Sequence, residues 1–176
     1  MRFVDFLRST VLLSAGAATA LALVTVLAVG AQSEEHLLPI AIGWWVLAAL
    51  VGLRLGRHAE TNPPIARLLS SAKASTALPE NHPGAILINR LWPLPLLTLV
   101  AGGLAFLAPQ VPGIAAGFAI IWALAWRRQD AAVAAIEERD GAFFYVLRTS
   151  PVRPMALERT PGFKALRPEP TNGAVT

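Results

Sequence analysis

The chain has 176 residues, 55% of them hydrophobic and 15% charged, with no cysteine and a formal net charge of +4. An ordinary soluble domain carries about 25% charged residues, so this composition points to a membrane protein. The absent cysteine excludes disulfides, thiolate metal sites and a cysteine nucleophile, and basic residues scattered over short segments without a binding motif give no nucleic-acid partner.

Residues 1–9, with Arg2 and Arg8, are read as a cytoplasmic N-terminus. The first span is expected over 10–31, a stretch without a charge and about as long as the ~20 residues a crossing needs. Ser14, Ala15, Gly16, Ala17, Ala18, Thr19, Ala20 and Ala22 make it rich in small residues, which let helices approach closely, so its first half should pack against protein. Arg2 and Arg8 ahead of the run and Val29-Gly30-Ala31 at its end also fit a cleaved signal peptide. The run exceeds the roughly 7–15 residues of a signal core, and a retained helix is the expectation.

The second span is expected over 37–55, with Pro39 in its first turn, where a missing N–H costs little. Trp44 and Trp45 lie ~10 Å inside the run by helix rise, deeper than an interfacial belt. They fill space between helices or face lipid, with a ligand platform as the alternative. Gly52 and Gly56 form a GxxxG, weakened as a signal by Arg54 between them.

The loop over 56–90 is long enough for structure of its own. Thr61-Asn62-Pro63-Pro64 reads as a helix start, and Ile65, Leu68, Leu69 and Ala72 recur at helical spacing. Two placements are open for this helix: on the inner membrane surface, or against the protein's own bundle. Pro79-Glu80-Asn81-His82-Pro83-Gly84 is a turn-rich link back to the membrane.

Leu91 to Trp126 holds no charge and is too long for one span. Pro109-Gln110-Val111-Pro112-Gly113 breaks it, giving a proline-defined hairpin with spans over 91–108 and 112–126. Both arms are near the lower limit for crossing. Local bilayer thinning, a tip held below the far interface, or a re-entrant hairpin with the same sidedness would each accommodate them. Trp92 and Trp126 sit at the cytoplasmic boundary, as belt tryptophans do. Gly113 and Gly117 are a second small-xxx-small pair.

In the extension over 127–163, Ala131 to Arg139 should continue the fourth span as a helix, stopped by Asp140-Gly141. Phe143-Phe144-Tyr145-Val146-Leu147 is β-prone, and Met155 to Arg159 is placed to return beside it as a hairpin. A lone hairpin is marginal in water, so its apolar surface should rest on the membrane, on the other loop, or on a partner. Phe143, Phe144, Tyr145 and Leu147 are therefore the candidate partner-docking residues. Pro, Gly, Thr and Asn dominate 164–176, where disorder is expected.

Sorted by these breaks, every lysine and arginine falls in the first, third or fifth polar piece. Gln32 to His36 and Pro109 to Pro112 hold none. Cationic loops stay cytoplasmic, which predicts four spans with both termini inside, integral to the plasma (inner) membrane. Arg54, Arg57, Arg67, Lys73, Arg90, Trp92, Trp126, Arg127 and Arg128 form the candidate lipid-facing interface, since surface cations are drawn to anionic headgroups.

The expected fold is thus an all-α integral membrane protein of four transmembrane helices, with a small cytoplasmic loop helix and a C-terminal extension containing a β-hairpin. The spans lack Asp, Glu, Lys, Arg, His, Asn and Gln except at their ends, so a proton-coupled pump, a voltage sensor and a buried metal site lack their residues. Ser14, Thr19, Thr25 and Thr98 can satisfy their hydroxyls on backbone carbonyls. His58, Glu60 and His82 could be drawn together as a metal site, but no signature spacing supports it. The functional expectation is a non-catalytic accessory subunit or scaffold, without cofactor, whose partners are the bilayer and a protein partner or second copy. The alternatives are a passive transport component, and a membrane-surface lipid enzyme using His58, Glu60, Asn81 and His82.

Overall fold

The structure, a computed structural model, describes residues 1–32, 36–57, 60–75, 83–149 and 154–161. In chain order it comprises α1 (Phe3–Gln32), α2 (Leu37–Leu55), α3 (Pro63–Ser70), β1 (Lys73–Ala74), α4 (Pro83–Leu91) and α5 (Pro93–Gly103). A 3-10 turn (Leu104–Phe106), α6 (Gln110–Trp126), α7 (Gln129–Asp140), β2 (Ala142–Val146) and β3 (Leu157–Pro161) complete it.

Two helices, α1 and α2, are long and apolar enough to cross a membrane, with mean hydropathy of 2.2 and 1.8. The pair formed by α4 and the α5 arm reaches that length as well, but is bent by 49°. Among the described residues there are therefore two full-length candidate spans, or three if the bent pair is one, where four were expected. Proline is the physical reason. Pro93 and Pro95 remove N–H donors where α4 would run straight into α5, and Pro109 ends the outward arm so that α6 is only 17 residues long. At 1.5 Å per residue that is ~26 Å, short of the ~30 Å hydrocarbon core.

The buried positions of α1 (Thr10, Ser14, Ala17, Ala18, Leu21, Thr25 and Val29) form one helical stripe, and this stripe packs chiefly on α6. α2 packs on α6 as well. Close approach is set by small residues. A Cβ at Gly52 would stand 2.8 Å from Leu124 Cβ and 3.1 Å from the Ile121 backbone, and Gly56 abuts the Leu124 carbonyl. The GxxxG of α2 is thus the face that meets α6, and Arg54 points elsewhere, exposed. From the α6 side, Gly113 meets Thr25 and Ala41 while Gly117 admits the Trp44 indole. Of the readings open for the two tryptophans, interhelical filling is the one seen. Trp44 Nε1 donates to the Ile114 carbonyl at 3.2 Å and Trp45 Nε1 to the Gly113 carbonyl at 2.8 Å.

The other end of the molecule is built differently. α1 starts at Phe3 and runs on through Arg8, so residues 3–9 extend the helix. Phe3, Phe6 and Leu7 join Ile65 of α3, Ile86 of α4, Val133 of α7, Phe144 and Val146 of β2 and Leu157 of β3 in one core. The loop helix α3 thus packs on the protein's own core, with Leu68, Leu69 and Ala72 alongside. The extension after Arg127 is too small to bury a core alone; it borrows one from α1 and the loop.

The expected hairpin is present within a three-stranded sheet of order β1-β3-β2. β2 and β3 pair antiparallel with Phe144 opposite Arg159 and Val146 opposite Leu157, and β1 adds parallel to β3 through Lys73–Glu158 and Ala74–Arg159. The return strand is Leu157–Pro161, two residues later than the expected Met155 start, which sets Leu157 on the core face beside Val146. An isolated bridge from Arg2 to Tyr145 ties the free side of β2 to the start of the chain. α7 is not a continuation of α6: Arg127 and Arg128 turn between them, and α7 packs against α1. It ends at Gly141, whose φ of 59° is a left-handed cap that glycine adopts without strain.

Candidate functional site

Three chain segments meet in the small cap, and a few polar side chains clasp them. Glu137 of α7 is buried. Its Oε2 accepts from Arg2 Nη2 at 2.5 Å, and its Oε1 accepts the Phe144 backbone N–H at 2.9 Å. One carboxylate therefore holds the start of α1, the end of α7 and β2. The bond to Glu137 is also the main reason the Arg2 guanidinium is held protonated above its ordinary range. Arg2 lies over the Phe143 ring, 4.6 Å from its centroid, a cation–π contact on the outer face of the sheet.

Gln129, also buried, performs the same office for the loop. Its Oε1 accepts the Asn62 N–H at 3.0 Å and its Nε2 donates to the Glu60 carbonyl at 3.3 Å. Arg128 donates to the Arg57 carbonyl at 2.9 Å. On the far side of the cap, Asn89 donates to the Thr149 carbonyl at 2.8 Å, while Arg90 donates to Thr149 Oγ1 and to the Pro154 carbonyl.

The candidate docking residues split by the alternation of the strand. Phe144 faces inward and is 3% exposed, occupied by the protein's own core. Tyr145 and Leu147 are half-buried, and Phe143 is the one of the four turned outward. Among the candidate interface residues, Arg54, Arg57, Arg67, Lys73, Trp92 and Arg128 are exposed, whereas Arg90, Trp126 and Arg127 are half-buried. Trp126 stacks on Trp122 with ring centroids 5.3 Å apart. The metal and lipid-enzyme readings rest on His58, Asn81 and His82, which lie outside the described residues, as do the turn-rich link over 79–82 and the tail over 164–176. Among the described residues no group of three or more His, Cys, Asp or Glu is placed to hold a metal.

The helical part carries large apolar side chains outward and has recesses around α5. Leu12, Leu27, Ile40, Leu50, Leu99 and Phe118 are all exposed, and α5 buries none of its residues. Apolar crevices of about 540, 570 and 600 Å³ adjoin α5. Every hydroxyl singled out in the spans donates to the carbonyl four residues back: Ser14 to Thr10, Thr19 to Ala15, Thr25 to Leu21 and Thr98 to Leu94. The crevice walls are thus apolar in effect even where Ser and Thr line them.

Sequence reasoning missed the clasp residues. Neither Gln129 nor Glu137 was singled out, and their partners lie 67 and 135 positions away. A signal did exist for the cap, since Phe3, Phe6 and Leu7 continue the stripe of α1 beyond its charges. No protein family, curated protein or solved structure matches the chain.

Proposed function

We propose that the protein is a non-catalytic, polytopic inner-membrane protein that serves as an accessory subunit or scaffold of a membrane complex. In this reading α1, α2, the α5 arm and α6 are four crossings, the last two forming a short hairpin that thins the bilayer around it. The cap stands on the cytoplasmic side with both termini.

The observation that carries the reading is the construction of the cap. Its core draws on the N-terminal turns of α1, the loop bearing α3 and α4, and the segment after α6. These are the same three pieces that hold all the lysines and arginines, so one fold explains why they share a side. A platform anchored to several helices at once holds a fixed orientation to the membrane, as a scaffold requires. The back-bonded hydroxyls favour this over a polar transport path, because they leave no row of donors for a solute.

The test is the mass and composition of the species extracted from native membranes in mild detergent. Another protein retained at fixed stoichiometry, and lost on Phe143→Ser, supports docking through the outer face of the sheet. Phe143 is chosen because Phe144 serves the core, so its loss would unfold the cap instead. A lone monomer, unchanged by Phe143→Ser, would overturn the accessory role.

A further inference from the structure

Four arginines gather where α2 and α6 end side by side. The two helices run parallel: Gly113 and Gly117 of α6 meet Ala41 and Trp44 of α2, and further along Gly52 and Gly56 of α2 meet Leu124 of α6. Their C-termini therefore finish at one level. Arg54 and Arg57 at the α2 end stand beside Arg127 and Arg128, which follow α6. By helix rise the four Cα atoms fall within roughly 8 Å of one another along the axis. Arg128 donates to the Arg57 carbonyl, which ties the two ends together. Among the described residues no carboxylate forms an ion pair with any of the four.

Cations settle at helix C-termini because the macrodipole is negative there. Two helix ends supply about half a charge each, so four guanidinia leave an excess of roughly three positive charges. The patch also sits where apolar surface stops. Leu50, Leu53 and Leu55 of α2 and Trp122 of α6 are exposed just short of the arginines, a surface that suits hydrocarbon next to an anion. A lipid supplies both in one molecule, whereas an acidic protein segment would leave the leucines unmatched. The guanidinium fork takes phosphate oxygens two at a time, and basic pockets between helices at the cytoplasmic face suit phosphate-rich headgroups.

We propose that the α2–α6 end is a headgroup site for an anionic glycerophospholipid of the diphosphatidylglycerol class, its two phosphates shared among Arg54, Arg57, Arg127 and Arg128. A single phosphate would leave most of the excess charge in place, and two take up most of it. The site rests on the membrane-embedded part of the proposed function and is independent of the accessory role.

In the experiment the full chain in mild detergent receives diphosphatidylglycerol, phosphatidylglycerol or phosphatidylcholine, and bound lipid is counted by native mass spectrometry. Diphosphatidylglycerol should be retained most strongly and phosphatidylcholine least. Arg57→Gln/Arg127→Gln should weaken diphosphatidylglycerol about 25-fold, from about fivefold for each surface cation. Arg54→Gln, at an exposed side chain turned away from α6, should weaken it about fivefold and carries the test where the double variant folds poorly. Arg67→Gln/Lys73→Gln removes the same charge from exposed positions of the cap and should change nothing. Equal retention of diphosphatidylglycerol and either other lipid, or an equal loss in the cap variant, would overturn the site. So would an acidic protein that co-purifies, with no lipid retained, and is lost on Arg57→Gln/Arg127→Gln. Resistance to carbonate extraction is read in parallel: a resistant chain without lipid preference fails the lipid site alone, whereas a chain released by carbonate fails the membrane reading and the site with it.

Discussion

The cap and the helical bundle are held together by opposite means. In the cap, large side chains point inward: Phe3, Phe6, Leu7, Ile65, Ile86, Phe144 and Leu157 are all buried. In the bundle they point outward, and the buried set of α2 and α6 is Ala48, Gly52, Pro112, Gly113, Ala116, Gly117 and Ala123. Water expels apolar surface and so builds a core of large residues. Lipid does not, and helices there associate through close backbone approach and van der Waals packing. The boundary between the two regimes falls within single helices. α1 presents Phe3 to Leu7 to the cap and a stripe of Thr, Ser and Ala to α6.

The sharpest way to break this contrast is to remove a large residue from the cap. Phe144→Ala should cost about 3–5 kcal/mol, seen as protease cleavage within 142–161 while the bundle stays intact. Global unfolding instead would mean that the two regions are one cooperative unit. Glu137→Ala should cost about 1.5–3 kcal/mol, because the Phe144 N–H and Arg2 both lose a charged acceptor. The readout is the same cleavage.

In the bundle the contrast predicts sensitivity to added size. Gly52→Val should destabilise by about 1–3 kcal/mol in a detergent melt, since the obstructing atoms include the Ile121 backbone. Gly16→Val is the control: nothing stands within 4 Å of its Cβ position, and the melt should hardly move. Equal effects at both glycines would deny that close approach joins α2 to α6.

The smallest effect is a pH dependence in the cap. A hydrogen bond from Arg139 holds the Asp140 carboxyl below its ordinary value of 3.8. The unfolded chain then binds this proton more readily, so the contribution is present above that value and fades as pH falls through the folded one. Arg139→Gln should remove this part of the acid sensitivity, measured as cap cleavage against pH.

How legible this was depended on whether the determinants were local. α2 was readable to the residue, because Pro39 and a polar stretch bound one uninterrupted apolar run. α3 was readable from Asn62-Pro63-Pro64 and the spacing of Ile65, Leu68 and Leu69, though its side of contact was not, since an amphipathic face looks the same whether lipid or protein covers it. The break between α6 and α7 has no Pro or Gly to mark it and depends on Gln129 reaching Asn62 and Glu60. β1 is two residues long and exists through its pairing with β3, which no local pattern records. The shortness of the α5 and α6 arms was foreseen from Pro109 and Pro112, but the bend at Trp92 was not, since no helix was expected at α4, after the turn-rich link over 79–84.

The central claim is that the three basic segments share the cytoplasmic side, opposite the segment that joins α1 to α2. With no native cysteine, single cysteines report sidedness cleanly. His36→Cys, Lys73→Cys and Glu158→Cys should be treated with a membrane-impermeant maleimide on intact cells, then after permeabilisation. The account predicts that His36→Cys labels at once and that the other two label only after permeabilisation. Labelling of Lys73→Cys or Glu158→Cys from outside, or protection of His36→Cys, would contradict it.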